Sequence, residues 1–282
     1  MEKELLNMVE SIDQIRNLMA SVREKRKGYI TNFYLDEFKH GIWVSKRVLY
    51  YDIIGDTVFF IHKNISFWNV FYVSTTTEEL QSVLQQLTEQ YGDISMIFDV
   101  VGRKKQCEEL LPIFQRNGYF EESSLVRFIR INTIVEADER INKIQTATVE
   151  QAKQVHEMLY SFMDVRIEQI PYWEEYENWC KLGHILVYCE DNRIAGFFDY
   201  EKNTSTMIPR HWLVHPDFRG RNIGSVLYKR LMYEANDTKR ILSWVIRTNT
   251  ISIQSHFHYG FKEEDMFDYI LTNKRGGGGN SM

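Results

Sequence analysis

The chain has 282 residues, of which 44% are hydrophobic, and a formal net charge of −5. This length suits two domains that each bury a core, and the absence of a basic patch and of an apolar run of about 18 residues argues against nucleic-acid and membrane partners. Three cysteines without a CxxC spacing argue against a disulfide framework or a zinc site, so we expect a cytoplasmic protein without a metal.

The first half is predicted to hold a helix, an antiparallel meander and two helix–strand units. Hydrophobic spacing predicts a helix over 3–26, and short strands are predicted at 29–35 and 42–44. The later elements are predicted to be strands Val48–Ile54, Thr57–His62 and Trp68–Ser74, a helix from Thr75 or Thr76 to about Tyr91, strand Ser95–Val101, a helix over 103–116 and strand Ser123–Ile131.

The second half is predicted to repeat this order of elements. The predicted elements are strand Ile144–Ala147, helices over 149–162 and 171–181, a hairpin of Ile185–Cys189 with Arg193–Glu201, strand Ser205–Val214, a helix over 223–236, strand Ile241–Arg247, a helix over 249–259 and a strand from Phe261 onward.

Two pairs of landmarks relate the halves. Val73 and Val214 end equivalent predicted strands 141 residues apart, and Gly118 and Gly260 follow equivalent predicted helices 142 residues apart. Nearly equal offsets of about half the chain indicate an internal duplication.

The predicted fold class is α/β (α+β), with two domains that each have a mixed, mostly antiparallel central sheet flanked by helices. We predict domains at 1–138 and 139–275 and a flexible tail over 276–282.

The segment after Leu213 has the parts of a pyrophosphate-binding loop. A loop that enters a helix N-terminus offers unpaired backbone N–H groups and the positive end of the helix dipole. Glycine lets the backbone approach phosphate closely, and arginine neutralises its charge. The predicted cofactor-binding residues at the strand end, in the loop and at the helix start are Trp212, Leu213, Val214, Arg219, Gly220, Arg221, Asn222, Ile223, Gly224 and Ser225.

This segment resembles the acetyl-CoA signature of the GNAT superfamily of N-acetyltransferases, Q/R-x-x-G-x-G/A, which often follows V-x-P. Arg219, Ile223 and Gly224 fit the signature, whereas Asn222 stands where the family usually has glycine. If this position requires a positive φ, asparagine is the best-tolerated replacement and costs about 1 kcal/mol.

A second match follows the fifth predicted strand of this half. The run from Asn249 to Phe261 is similar to the family pattern N-x-x-A-I-x-x-Y-x-x-x-G-F, with Ser252 in place of alanine. The resemblance covers residues 142–272. It implies that this half binds acetyl-CoA or another acyl-CoA, with Asn249 among the cofactor-binding residues.

The first half lacks the residues of such a pyrophosphate-binding loop. The segment after Val73 contains neither glycine nor arginine and carries Glu78 and Glu79 where phosphate would lie. We therefore expect a degenerate N-terminal copy that does not hold coenzyme A.

The candidate catalytic residues are His256, His211 and Asp199. The resemblance places His256 where many family members have a tyrosine acid, and a histidine can donate a proton there. His211 and Asp199 lie on predicted central strands and are candidate bases. Strand parity puts His211 on the face opposite Val214 unless a bulge resets it. Asp199 could instead pair with Arg210, and water relays could replace a dedicated base.

The resemblance implies an N-acyltransferase that moves an acyl group, most simply acetyl, to a small-molecule or peptide amine by direct attack. Two alternatives stay open, namely a tandem-domain aminoacyl transferase that uses aminoacyl-tRNA and a non-catalytic module that senses acyl-CoA. Trp173, Tyr176 and Trp179 have helical spacing, which indicates core packing or, alternatively, an aromatic wall of the acceptor site.

Overall fold

The computed structural model describes residues 6–137 and 139–274, which divide into two compact units. Unit 1 extends to Leu125 and also includes the segment that starts at Asp265. Unit 2 is Val126–Glu264.

The elements that begin before residue 126 include four amphipathic helices. Three of these helices start at a side-chain cap, because Ser11, Asp36 and Thr76 each accept a hydrogen bond from the backbone N–H three residues later. The elements are β1 (Asn7–Met8), α1 (Ile12–Glu24), β2 (Ile30–Thr31), α2 (Glu37–Ser45), β3 (Leu49–Ile54), β4 (Thr57–Lys63), β5 (Trp68–Ser74), α3 (Thr77–Tyr91), β6 (Met96–Gly102), α4 (Lys104–Arg116) and β7 (Phe120–Ile131).

The later elements follow the predicted order closely. A 3₁₀ turn covers Glu139–Lys143, and a second one covers Pro216–Phe218. The helices and strands are β8 (Ile144–Thr146), α5 (Val149–Phe162), α6 (Trp173–Lys181), β9 (Ile185–Glu190), β10 (Arg193–Lys202), β11 (Thr206–Val214), α7 (Ile223–Glu234), β12 (Arg240–Ile246), α8 (Thr250–His258) and β13 (Lys262–Thr272).

Two local predictions in the first half were wrong. The predicted helix over 3–26 begins only at Ile12, because Asn7 and Met8 pair with β3 as a short strand. The predicted strand at 42–44 lies inside α2, whose buried face includes Trp43. The Asp36 cap and packing of that face outweigh the strand propensity of this short run.

The sheet of each unit is mixed and mostly antiparallel. In unit 1 the strand order is β1-β3-β4-β5-β6-β13, and in unit 2 it is β8-β9-β10-β11-β12-β7. One pair in each unit is parallel, β5 with β6 and β11 with β12. The predicted fold class is therefore confirmed.

The compact units are not the two uninterrupted segments, 1–138 and 139–275, that the sequence suggests. β6 pairs with β13 from the far end of the chain, from Ile97 opposite Thr272 to Gly102 opposite Phe267. Conversely, the last part of β7 from Val126 belongs to unit 2. Backbone groups along a buried strand must be paired, and the partner that pairs them here is remote in sequence. The predicted tail lies outside the described residues.

Each unit packs helices against its sheet around an apolar core. In unit 1, side chains of α3 and α4 pack on β4, β5 and β6. In unit 2, α5 and α6 pack on β9 and β10, and this core includes Tyr176 and Trp179, which confirms core packing for these two rings. No helix in the described part of the chain is long and apolar enough to cross a bilayer.

Candidate cofactor and catalytic site

The loop between β11 and α7 has the backbone of an anion site. Asn222 has φ 61° and ψ 14°, in the left-handed region, and Gly220 has φ 80°. The first hydrogen bond of α7 runs from the Val226 N–H to the Asn222 carbonyl. The three N–H groups of Ile223, Gly224 and Ser225 therefore precede the helical ladder, and within the described chain the Asn222 side chain does not cap them.

A cavity of about 390 Å³ lies over this helix start. Six of its seven lining residues belong to the predicted cofactor-binding set, and the seventh, Phe218, was not predicted. The lining residues are Val214, Phe218, Arg219, Gly220, Asn222, Ile223 and Gly224.

Phe218 braces the loop. Its ring is buried, and the guanidinium groups of Arg193 and Arg221 lie 5.0 and 5.2 Å from its centroid. Arg193 also pairs with Asp217 at 2.7 Å, and Arg221 pairs with Glu190 at 3.0 Å. Arg221 is thus engaged by Glu190 and Phe218 in this structure, and its predicted phosphate role stays a prediction.

Arg219 remains the available cation of the loop. It is exposed, and among the residues that the structure describes it makes no ion pair. Its guanidinium can therefore neutralise phosphate at the helix start without breaking an existing contact.

β11 offers an open edge beside the cavity. It pairs in parallel with β12 at Thr206–Arg240 and Met207–Ile241, and in the described chain the register ends there. Its other edge stays paired with β10 as far as Val214, which lies opposite Gly196. The edge towards β12 near Trp212–Val214 can therefore accept an extended chain of amides.

These features fit an acyl-CoA. Phosphate oxygens match the free N–H groups of α7 and Arg219, and the amide-containing pantetheine arm matches the free edge of β11. The indole Nε1 of Trp212 is buried and has no hydrogen-bond partner among the described residues.

In unit 1, a strand of the same chain covers the edge of β5 that corresponds to the open edge of β11. β5 and β6 pair at Trp68–Met96 and Asn69–Ile97 and then separate. β2 pairs with the edge of β5 that this separation leaves open, with Ile30 opposite Ser74 and Thr31 opposite Val73.

Asn32 completes this filling. Its Nδ2 donates to the Asp99 carbonyl at 2.9 Å, and its Oδ1 accepts from the Tyr72 N–H at 2.7 Å. Among the residues that the structure describes, unit 1 therefore has neither the glycine–arginine loop nor an open strand edge. The sequence predicted a strand near Asn32 but carried no signal for its partner.

Asp199 and His211 form a buried pair on the face of the sheet that packs against α6. Asp199 accepts from the His211 backbone N–H at 2.8 Å and lies 3.0 Å from its Nδ1. Tyr176 donates to the other carboxylate oxygen at 2.8 Å. Because a carboxylate only accepts, His211 carries its proton on Nδ1 and leaves Nε2 as an acceptor.

The partner of Asp199 differs from the predicted alternative. Arg210 pairs with Glu201 at 3.1 Å rather than with Asp199. A bulge places Asp199 opposite His211 and Tyr200 opposite Pro209, so that Arg210 is the extra residue. Since the bulge precedes His211, it does not reset parity, and His211 stays on the face opposite Val214.

Two further groups near this pair were not predicted as functional. Burial raises the pKa of Tyr176 well above its ordinary value, and the negative charge of Asp199 raises it further, so the hydroxyl remains a donor. Burial also raises the pKa of Glu168, while His211 and Arg210 act in the opposite direction. Glu168 follows α5 in a loop, where sequence periodicity gives no indication of what a side chain faces.

The contacts of His256 argue against the predicted acid role. Its Nδ1 lies 2.7 Å from the Ser252 carbonyl and its Nε2 lies 2.9 Å from the Ser243 hydroxyl. The carbonyl can only accept, so Nδ1 donates to it and Nε2 accepts from Ser243. Burial lowers the pKa of His256, whose ring packs between Phe128 and Phe261. Both ring nitrogens therefore serve the packing of α8.

Asn249 caps α8. Its side-chain oxygen accepts from the Ser252 N–H at 3.0 Å, and its predicted contact with the cofactor stays a prediction.

Tyr259 reaches the cofactor loop from the end of α8. Its hydroxyl lies 3.0 Å from that of Ser225, and its ring stacks on Tyr228 at 4.1 Å. Ser225 follows Gly224, which lines the cavity. Among the described residues, no group of three or more His, Cys, Asp and Glu side chains is placed to hold a metal ion.

Comparison with known proteins shows what this part of the chain is similar to. Residues 152–261 match the model of the Acetyltransferase (GNAT) family. No curated protein matches the chain.

Several solved structures resemble it over nearly its whole length. A GCN5-related N-acetyltransferase from Sphaerobacter thermophilus has a TM-score of 0.60 at 13% identity, covering 96% of this chain and 95% of that one. A GNAT-family acetyltransferase from Colwellia psychrerythraea has a TM-score of 0.56 at 11% identity, covering 95% and 98%. A tandem GNAT protein from the clavulanic acid biosynthesis pathway has a TM-score of 0.56 at 12% identity, covering 95% and 97%.

At these identities the structures show the fold, and the family model places the matching sequence in the half of the chain that carries the open loop. Residues 152–261 are therefore similar to the GNAT acetyltransferase family, and the chain as a whole has a tandem GNAT fold with a degenerate first copy.

Proposed function

We propose that the protein is an N-acyltransferase that moves an acyl group, most simply acetyl, from acyl-CoA to an amine. The observation that carries this proposal is the site at the end of β11. There, free helix N–H groups, the exposed Arg219 and an open strand edge meet at one cavity.

The loop after β11 and the end of β11 would bind the cofactor. The N–H groups of Ile223, Gly224 and Ser225, together with Arg219, would hold the pyrophosphate, and the edge near Val214 would hold the pantetheine arm. Bound acyl-CoA supplies the thioester that the amine attacks. We expect a small-molecule or peptide amine as the acceptor.

The base is His211. Its Nε2 takes the proton that the attacking amine loses, while Asp199 holds Nδ1–H and stabilises the imidazolium that results. Tyr176 fixes the second oxygen of Asp199 and so orients the carboxylate. An arrangement in which a buried carboxylate orients the histidine resembles the base half of hydrolase triads in its physical logic.

The hydroxyl pair of Tyr259 and Ser225 takes the acid role that the sequence suggested for His256. Tyr259 packs with α7, on the sheet face opposite His211. His211 would thus keep the proton that the amine loses on one face of the sheet, and Tyr259 would give its own hydroxyl proton to the leaving thiolate on the other; exchange with solvent then resets both groups.

Thermal shift and calorimetry with acetyl-CoA, coenzyme A and longer acyl-CoAs test the first step, because a ligand that binds only the folded state raises Tm. Arg219→Ala should weaken binding by about fivefold to tenfold. Lys262→Ala, which removes another exposed cation of the same unit, should not.

A thiol-release screen over amines tests the second step. Release with at least one amine is expected, and its loss in His211→Gln with binding retained would support the assigned base. Binding without release for any amine would favour the acyl-CoA sensor instead. No binding of any acyl-CoA would remove the proposal. No observation in the structure favours the aminoacyl-tRNA alternative.

A further inference from the structure

Glu168 is a half-buried carboxylate without a partner. It lies in the loop between α5 and α6 and keeps part of its surface accessible. Among the residues that the structure describes, its side chain makes no hydrogen bond and no ion pair. Removing a carboxylate from water without a donor costs free energy, and the raised pKa of Glu168 reflects this cost. The fold therefore keeps a costly charge that stabilises none of its own contacts.

A hydrogen-bonded turn holds Glu168 in place. The Asp164 carbonyl accepts from the N–H groups of Ile167 at 3.0 Å and Glu168 at 2.7 Å. The Asp164 carboxylate also supports the turn, since its Oδ1 accepts from the Arg166 N–H at 2.9 Å. A backbone fixed in this way lets the Glu168 carboxylate bind a ligand without first ordering the loop.

The loop packs on the side of the sheet that carries His211. Ile170, two residues after Glu168, packs against the core that α5 and α6 form with β9 and β10. Leu213 packs against the same core, and it shares a face of β11 with His211 because the two are separated by one residue. Glu168 and the proposed base are therefore on the same side of the sheet.

The groups on β10 and β11 leave Glu168 without a counter-ion. His211, Arg210 and Asp199 are the residues of these strands whose charges act on it. Arg210 already pairs with Glu201 at 3.1 Å, Asp199 is itself negative, and His211 is neutral in its hydrogen bond with Asp199. A positive charge that balances Glu168 would therefore come from a ligand.

The segment that leads to Glu168 begins beside the cofactor loop. Phe162 ends α5 with 41% of its surface exposed, and its ring meets the His215 ring edge-on at 5.4 Å. His215 in turn meets Phe218, which lines the cofactor cavity, at 5.9 Å. An acceptor that lies along this segment is therefore adjacent to the bound cofactor, where the proposed reaction needs it.

We propose that Glu168 binds a positive charge of the acceptor, so that the protein selects amines that carry a second cationic group, such as diamines. This inference rests on the proposed function and names the class of its acceptor. The amine that attacks the thioester is neutral and gives its proton to His211, so the charge at Glu168 belongs to a second ammonium or guanidinium group. That group would make a charge-assisted hydrogen bond in a partly desolvated place, where it is stronger than in water.

Glu168→Gln tests the proposal, because glutamine keeps the size of the side chain and removes its charge. The thiol-release assay compares straight-chain diamines with monoamines of equal length. For the best diamine we expect kcat/KM to fall by about tenfold to hundredfold through KM, with kcat within about threefold. For the monoamine we expect kcat/KM to stay unchanged. The matched control is Glu157→Gln, which removes an exposed carboxylate of α5 and should change neither value.

Binding without turnover gives a second readout. Coenzyme A has no acyl group to donate, so diamine binding to the protein saturated with coenzyme A can be measured by calorimetry. Wild type should bind the diamine more tightly than the monoamine, and Glu168→Gln should bind both alike. Because Glu168 has no partner in the free protein, the Tm of unliganded Glu168→Gln should equal or exceed that of wild type. A lowered Tm with unchanged diamine affinity would overturn the proposal, since it would show that the carboxylate stabilises the fold instead.

The outcomes separate this inference from the proposed function. If wild type binds coenzyme A but prefers diamines neither in binding nor in thiol release, this inference is wrong and the acyl-transfer proposal stands. If wild type binds neither coenzyme A nor any acyl-CoA, the proposed function fails and this inference fails with it.

Discussion

Asp199→Asn should separate catalysis from cofactor binding. Asp199 is fully buried and accepts three hydrogen bonds, from the His211 N–H, His211 Nδ1 and the Tyr176 hydroxyl. Asparagine has nearly the same shape but carries no charge, and it replaces one acceptor oxygen by a donor NH₂. The change therefore alters electrostatics at a site whose packing it preserves.

The expected magnitudes follow from these contacts. The amide oxygen can still face His211, and the Tyr176 hydroxyl can rotate to accept from the new NH₂. The stability loss is then the difference between charge-assisted and neutral hydrogen bonds, about 1–3 kcal/mol. The imidazolium of His211 loses its counter-charge, so kcat should fall by about 10²-fold to 10⁴-fold. The KM for acyl-CoA should stay within about twofold, because the loop lies on the other face of the sheet.

The assay is steady-state thiol release with an amine found in the screen, alongside urea unfolding. Tyr176→Phe is the matched control, since it removes one hydrogen bond to Asp199 and keeps the charge. It should cost about 1 kcal/mol of stability and reduce kcat far less than Asp199→Asn does. A kcat for Asp199→Asn within about twofold of wild type would refute the assignment of the pair as base.

Three further predictions follow. Asn222→Gly should keep coenzyme A binding and stabilise the fold slightly, whereas Asn222→Ala should cost about 1 kcal/mol because alanine disfavours φ 61°; equal unfolding midpoints would contradict this. Burial lowers the pKa of His40 to about 4 and of His62 to about 3. Because the unfolded chain therefore binds more protons than the folded chain below about pH 6.5, the free energy of unfolding should decrease as the pH is lowered from 6.5. The decrease should reach up to about 1.4 kcal/mol per pH unit for each histidine. Urea unfolding measures it, and the slope should be shallower in His62→Asn. Asn32→Ala should destabilise unit 1 by about 1–3 kcal/mol without changing coenzyme A affinity; a changed affinity would argue against a purely structural role.

Much of the local structure could be predicted from the sequence. Periodicity, caps and turn residues lie close together in the chain, so a local pattern contains them. They predict the antiparallel meander, the repetition of its element order in the second half and the strand–loop–helix around Asn222. Asn222 adopts the positive φ that its place in the family signature implies. Six of the seven residues that line the cavity were predicted for the same reason.

The tertiary structure alone decided which polar groups meet. Asp199 bonds His211 rather than Arg210 because a bulge one residue away sets the register. The sequence marks His256 as a family catalytic position, yet burial and two hydrogen bonds make it structural. Burial and register are properties of neighbours on other elements, which no local pattern contains.

The same reason explains the difference between the two halves. The missing glycines and arginine of the first copy can be read directly from the segment after Val73. The strand that closes its gap cannot, because Asn32 reaches Tyr72 and Asp99, which are 40 and 67 residues away. The sequence by itself determined which residues form the loop after β11. The tertiary structure decided that the edge of β11 stays open while the edge of β5 is covered, because the strands that pair there are distant in the chain.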